Sequence, residues 1–353
     1  MAVFYILPCN FPAWAGEDAN TWEQLTAQAV LEMKASHNDQ AKRLCTQAME
    51  IVSPAAAGDT RLAKTQILMG EIHRWGKRFD LAEQSYKDAI VSCEKAVGPN
   101  NPDMAIPLDS LANFYYFTQA RYDLVAPLYE RILNIVENEP NRDEGEVARR
   151  ARNLAEVYIL QKQYAKAEPV YKQALKSAEK VNDDVPNYLL GLAGFYSQWG
   201  KCEQAEAPAK RALEIREKAA RPGSGTDAQL DLAVALDGLA KVYLACGKFE
   251  QAEALYSQSL AIIEETQGRD NPDTASRLVG LGQALRGQKK YEQAEIQYMR
   301  AIFVTEKNLG ENAPEAAEML EKYAVLLNDM NKPDEAKQKL KRAETIRKNA
   351  AAE

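Results

Sequence analysis

At 353 residues, with 46% hydrophobic and 27% charged side chains, the chain has the composition of a folded protein and not of a long disordered one. Its formal net charge of −7 lacks the basic footprint that nucleic-acid binding requires, so no nucleic-acid partner is expected. No run of about 18 apolar residues occurs, so no membrane-spanning helix is expected either.

The chain opens on an apolar stretch, Met1 to Leu7, followed by Pro8-Cys9-Asn10-Phe11-Pro12. Ala13-Trp14-Ala15 before the polar Gly16-Glu17-Asp18 has the form of a signal-peptidase site. No Lys or Arg precedes it and the apolar core is short, defects that a start further upstream would remove. Residues 1–20 are therefore set apart as a truncated signal peptide or an apolar tail. Export to the periplasm or beyond is expected from the first, a cytoplasmic location from the second.

From Thr21 onward one phrase keeps returning. Phe79-Asp80-Leu81-Ala82-Glu83, Tyr164-Ala165-Lys166-Ala167-Glu168, Phe249-Glu250-Gln251-Ala252-Glu253 and Tyr291-Glu292-Gln293-Ala294-Glu295 are its clear copies. Anchored on the small residue, the series runs 41, 82, 125, 167, 205, 252, 294, 336, with spacings of 41, 43, 42, 38, 47, 42 and 42. A fixed period in this range marks a repeat architecture, so residues 21–353 are expected to form about eight stacked units and not two or three separate domains.

Each unit reads as two helices. In the second, Phe249, Ala252, Tyr256 and Leu260 fall three or four apart and share one face. In the first, Leu239, Val242 and Tyr243 form a buried stripe around the small Ala240, whose counterparts are Gly70, Ala112, Ala155, Ala193, Gly282 and Ala324. A small residue there lets two helices approach while an aromatic fills the space beside it. Gly76, Gly200, Gly247 and Gly287 are expected to end first helices in the left-handed conformation. Gly98-Pro99-Asn100-Asn101-Pro102-Asp103 and Gly268-Arg269-Asp270-Asn271-Pro272-Asp273 break the chain between units, with Pro and an acidic residue suited to the next first turn. Arg221 to Asp227, in the longest spacing, is expected to be a loop. The last second helix carries Lys337, Lys339, Lys341, Arg342, Arg347 and Lys348 among Glu335 and Glu344, and reads as a polar cap on the array.

Cys9, Cys45, Cys93, Cys202 and Cys246 form no CxxC pair, and His37 and His73 lie in different units. Clustered ligands are lacking, so no metal or cofactor is expected. The four internal cysteines read as small helix residues, with a disulfide between neighbouring units as the alternative. The chain holds no GxSxG elbow, HExxH or P-loop, and no enzymatic role is expected.

The aromatic-x-x-Ala phrase, the small residues of the first helix and the two-helix period resemble the tetratricopeptide repeat. The 42-residue spacing with Gly-x-x-x-Pro-Asp between units is similar to the variety found in kinesin light chains and many bacterial proteins. The resemblance implies an all-α fold, an α-solenoid wound as a right-handed superhelix, whose first helices line a concave groove for a peptide or protein partner. Arg152-Asn153-Leu154-Ala155 keeps the groove asparagine of the light-chain pattern, whereas Ser110, Gly191, Gly238 and Gly280 stand at its other matching places. Arg149 and Asn153 form one pair of the kind used in carboxylate clamps. The groove candidates are Asp109, Asn113, Arg149, Arg152, Asn153, Glu156, Gly191, Asp237, Gly238, Lys241, Gly280 and Gln283. Arg149 and Arg152 suit a carboxylate. The three glycines either admit a ligand closely or serve tight helix packing. A binding scaffold is the expected function, with self-assembly or small-molecule sensing as alternatives.

Overall fold

The computed structural model describes residues 17–52, 58–221 and 223–352. The proposed cleavage site at Ala13-Trp14-Ala15 and Cys9 lie outside them. The described residues form helices and no strand. The chain divides into two compact units, one up to Ala174 and one from Leu175 to Glu353.

In the first unit lie α1 (Glu17–Lys34), α2 (Asn38–Ile51), α3 (Arg61–Trp75), α4 (Phe79–Val97), α5 (Ala105–Phe114), α6 (Tyr122–Glu137) and α7 (Glu144–Leu160). Helix α8 (Tyr164–Val181) carries the chain into the second. The second holds α9 (Val185–Gln198), α10 (Cys202–Ala219), α11 (Thr226–Ala245), α12 (Phe249–Gln267), α13 (Asp273–Gly287), α14 (Tyr291–Leu309), α15 (Pro314–Asp329) and α16 (Pro333–Ala352). Helices pack in consecutive pairs: α1 with α2, α3 with α4, α9 with α10, and so on to α15 with α16. This is the all-α solenoid class.

The small residues of the first helices do what their size permits. A Cβ on Gly70 would lie 2.7 Å from the ring of Tyr86, and one on Gly282 would lie 3.1 Å from that of Tyr298. Both tyrosines are fully buried, as is Tyr256. Burying each ring removes on the order of 150–250 Å² from water, which neither helix achieves alone.

The turns follow the expected chemistry with two differences. Gly200 and Gly247 take positive φ, 75° and 70°. Beyond Gly76 and Gly287 the left-handed residue is instead a lysine, Lys77 at 55° and Lys289 at 61°. Gly287 serves packing: its missing Cβ leaves room for the Phe249 ring, 2.4 Å away from where that atom would stand. Between repeats, the asparagine before the proline caps the next helix. Asn101 Oδ1 accepts from Asp103 N at 2.9 Å and Asn271 Oδ1 from Asp273 N at 2.7 Å.

The phrase Ala-Glu has a second use. Glu83 accepts from Tyr115 Oη at 2.8 Å, and Glu295 from Tyr323 Oη at 2.7 Å. Lys248 Nζ reaches Glu206 at 2.6 Å, and Lys290 Nζ reaches Glu253 at 2.9 Å. In each case the glutamate follows the small anchor of one repeat and its donor belongs to the next. The buried alanine faces inward and the glutamate beside it latches forward.

The uneven spacings have structural causes. In the longest, Thr226 and Asp227 open α11 instead of lying in a loop, so most of the extra length becomes helix. In the spacing of 43, Tyr115–Gln119 adopts a π-helical turn that ends on the left-handed Ala120. Cys45 and Cys93 are buried free thiols, whereas Cys202 and Cys246 form a disulfide. In α16 three members of the basic run are paired: Arg342 with Glu306 at 2.7 Å, Arg347 with Glu321 at 2.9 Å and Lys348 with Glu344 at 2.7 Å.

Candidate functional site

In the first unit the first-helix face is built by α3, α5 and α7. Along α5 and the turn after it, Ile106, Ser110, Asn113 and Phe117 recur at intervals of four, three and four and so share one side. Asn113 is exposed on it and Asp109 half-buried beside it. Helix α7 is capped by Asp143, whose carboxylate accepts from Gly145 N at 2.9 Å. It presents Arg149 and Glu156 exposed and Arg152 and Asn153 half-buried. The helix thus brings together the four α7 residues expected in the groove.

The residue that ties α7 to α5 is Arg150, which stood outside the expected set. Its side chain is nearly buried and donates to Asp109 of α5 and, at 2.7 Å, to Glu146 one turn earlier. Glu146 also holds Arg149. Burial raises the pKa of Asp109 against the pull of Arg150. Burial would raise Glu146 too, but its bonds to Arg150 and Arg149 bring it below the ordinary carboxylate value. Arg149, expected to take a partner's carboxylate, therefore already holds one of the chain's own. Arg152 lies 3.7 Å from Glu156, whose pKa desolvation raises. The Glu146–Arg150 spacing of four was the available sequence signal for this network.

An apolar row borders these charges. Five residues after the small anchors Gly70, Ala112 and Ala155 stand Trp75, Phe117 and Leu160, with exposures of 49%, 77% and 45%. The matching places in the second unit are Gln198, Ala245, Gly287 and Asp329. Phe117 stands within a π turn. Tyr115 and Tyr122 are seven residues apart, where Tyr158 and Tyr164, or Tyr243 and Phe249, are six apart. The one extra residue is absorbed as a wider turn. Tyr116 packs edge-on against both Phe117 and Tyr122, with centroids 4.8 and 5.3 Å apart. The Phe117 ring thus stands on an aromatic base.

In the second unit, Asp237 is buried and its Oδ2 lies 2.6 Å from Lys241 Nζ, whose side chain is exposed. Asp237 Oδ1 is sealed from solvent with no hydrogen-bond partner among the described residues. Gly191 and Gln283 are half-buried. Two of the three glycines face the chain itself. A Cβ on Gly238 would lie 2.6 Å from Leu190 Cδ2, and one on Gly280 would lie 2.3 Å from Tyr256 Cζ. At Gly238 and Gly280 tight packing is the reading that holds, and the space an incoming ligand would need is filled. Arg277 is also buried here, donating to Ser259 Oγ and to the Asp273 carbonyl, both at 2.7 Å.

A polar surface cavity of about 410 Å³, lined by His37, Asn38, Lys42 and Arg78 among others, lies apart from both sets. Among the described residues no group of three or more His, Cys, Asp or Glu is placed to hold a metal ion. No helix of the described residues is long and apolar enough to cross a membrane.

Comparison with known proteins places these features in context. A family model described as tetratricopeptide repeat matches residues 61–138, 146–218 and 231–304. Among solved structures, BtubC (BKLC) from P. vanneervenii is similar with a TM-score of 0.53 and 20% identity, covering 66% of this chain and 93% of that one. A tetratricopeptide repeat protein from Parabacteroides merdae gives 0.54 and 18%, covering 86% and 99%. The apo form of RapI gives 0.58 and 13%, covering 82% and 99%. At these identities the likeness is one of fold. A search of curated protein sequences finds no significant match.

Proposed function

Because the chain belongs to the tetratricopeptide repeat family, we propose that it is a non-catalytic scaffold that holds a peptide or protein partner on the first-helix face of its first unit. The observation that carries this reading is the row Trp75, Phe117 and Leu160 beside the polar wall of Arg149, Arg152, Asn153 and Glu156. Large apolar side chains exposed in register along successive helices cost solvation and contribute nothing to the core, which marks a surface meant to be covered. The adjoining mixed charges supply register and specificity. Neighbouring helices lie about 8–10 Å apart. An extended segment advancing ~3.3 Å per residue therefore meets one such side chain about every third residue.

The test is affinity capture with the purified chain from Gly16 onward, from separated periplasm and cytoplasm of the source cell. Phe117→Ser and the double change Arg149→Glu with Arg152→Glu serve as controls. A partner retained by the parent chain and lost with either variant supports the reading. Capture that neither variant alters removes this face from the function. The same fractions locate the protein. We read it as exported, a reading that the Cys202–Cys246 disulfide favours, since disulfides persist in oxidising compartments.

Self-assembly is the second reading, favoured by one observation. Ile296, Met299 and Phe303 are exposed at intervals of three and four on α14. Mass that rises with concentration, and falls back with Phe303→Ser, would move the assignment there.

A further inference from the structure

We propose that Cys202–Cys246 is a reversible thiol–disulfide exchange site that locks and releases one joint of the second unit. Other repeats place different residues at the same two positions. Phe79, Tyr122, Tyr164, Phe249 and Tyr291 open second helices three residues before the small anchor; in α10 that place belongs to Cys202. The aromatic packs forward on the next repeat's first helix, as Phe249 does at Gly287 and Phe79 does on Phe114, with centroids 6.4 Å apart. The second position lies three residues after the aromatic, or its replacement, near the end of the first helix. It holds Gln161 and Gln288, each of which donates back to the preceding second helix: Gln161 to the Tyr122 carbonyl and Gln288 to Glu253 at 2.6 Å. At the α10–α11 joint that place belongs to Cys246. Both halves of a recurring noncovalent clasp are thus replaced together by the two halves of a disulfide, with Cα atoms 5.6 Å apart.

Reduction therefore leaves this joint without the ring and without the amide that the α12–α13 joint retains. The same joint has the longest repeat spacing and a connection through Gly223 and Gly225, where the junctions before Pro102 and Pro272 have the asparagine-capped Pro-Asp turn. Among the described residues three polar clasps remain across it: Lys248 to Glu206 at 2.6 Å, Tyr243 Oη to Glu206 at 3.3 Å and Arg216 to Asp231 at 2.6 Å. Both cysteines are half-buried, within reach of a small reagent, whereas Cys45 and Cys93 are enclosed.

The exchange balances with an external dithiol. Its first thiolate attacks Cys246 Sγ and the Sγ–Sγ bond breaks. Cys202 leaves as a thiolate at the start of α10, where the free N–H groups of the helix terminus favour an anion. The reagent's second thiolate then displaces Cys246, closing the reagent's own disulfide. Two electrons pass to the protein, and two protons complete its thiols.

The experiment is hydrogen exchange on the full chain before and after dithiothreitol, with alkylation and mass to count thiols. Two further reactive thiols are expected after reduction, with exchange in the end of α11 and the start of α10 faster by about tenfold or more, while α13 to α16 stay unchanged. Cys202→Ser with Cys246→Ser should match the reduced chain. Cys202→Phe with Cys246→Gln, which installs the clasp of the α12–α13 joint, should exchange slowly and ignore dithiothreitol. Free thiols at Cys202 and Cys246 in the air-oxidised protein, a disulfide that resists reduction in the folded state, or equal exchange in both redox forms would each overturn the proposal.

Discussion

Replacing Gly280 by alanine sets two local effects against each other. In a helix interior alanine is better than glycine by about 1 kcal/mol, so a helix judged alone predicts stabilisation. The structure predicts the reverse. The new Cβ would stand 2.3 Å from Tyr256 Cζ, 2.5 Å from Cε1 and 2.8 Å from the hydroxyl oxygen. Tyr256 is 1% exposed and wedged between repeats, so the ring has nowhere to turn. Overpacking of this kind costs about 1–3 kcal/mol, which offsets the propensity gain and leaves a net loss of up to ~2 kcal/mol. Two further glycines calibrate the result. Gly194 lies inside α9 with nothing within 4 Å of a Cβ, so Gly194→Ala should stabilise by about 0.5–1 kcal/mol. Gly238 faces the tip of Leu190, which can rotate, so Gly238→Ala should fall between. The assay is urea unfolding followed by circular dichroism, joined to hydrogen exchange of α12 and α13, because a repeat array need not unfold as one unit. If Gly280→Ala raises the midpoint as Gly194→Ala does, Tyr256 is not the wedge described.

Glu206 is held down to a pKa of about 2 by its hydrogen bonds to Lys210 and Lys248. Its folded value lies below its ordinary one of 4.5, so its stabilisation is full above about pH 4.5 and is lost as pH falls toward about 2. Acid titration with Lys248→Met should show a smaller loss across that window, read by exchange in α10 and α11. In the first unit, Asp109→Ala leaves Arg150 short of one carboxylate and should cost about 1.5–3 kcal/mol. Arg150→Met strands the half-buried Asp109 carboxylate instead and should cost at least as much, whereas the double change Asp109→Leu with Arg150→Met, which removes both charges, should cost less than either in the same urea titration. Burial pushes the Cys45 thiol to about 12 and the Cys93 thiol to about 11. Neither should react with iodoacetamide at pH 8 in the folded chain, and prompt labelling of either would contradict its enclosure.

The repeat, the helix pairs and the small-against-aromatic packing were readable because each is written many times in one period. A stripe at spacing three and four survives any local accident. What was hidden depends on pairs far apart in sequence. Arg149, Arg150 and Arg152 look alike in the chain, and only the helix phase, about 100° per residue, turns Arg150 inward to Asp109 while Arg149 faces out. The role of Gly238 and Gly280 was open because a glycine's neighbours, Leu190 and Tyr256, come from other helices. The pairing of Cys202 with Cys246 becomes legible only once the repeats are aligned and both are seen to replace members of one clasp. Glu83 and its counterparts passed for surface carboxylates because their tyrosine and lysine donors lie one repeat away.

The π turn after α5 has an evolutionary consequence. A single residue inserted into a helix normally rotates everything beyond it by about 100° and would carry a whole apolar stripe away from its partner. Here Tyr115 keeps its hydrogen bond to Glu83 on one side of the insertion, and Tyr122 opens α6 in its usual place on the other. The disturbance is confined to Tyr115–Gln119, the turn that carries the exposed Phe117. An array of this type can absorb an indel at the end of a helix while its inherited interior stays in register.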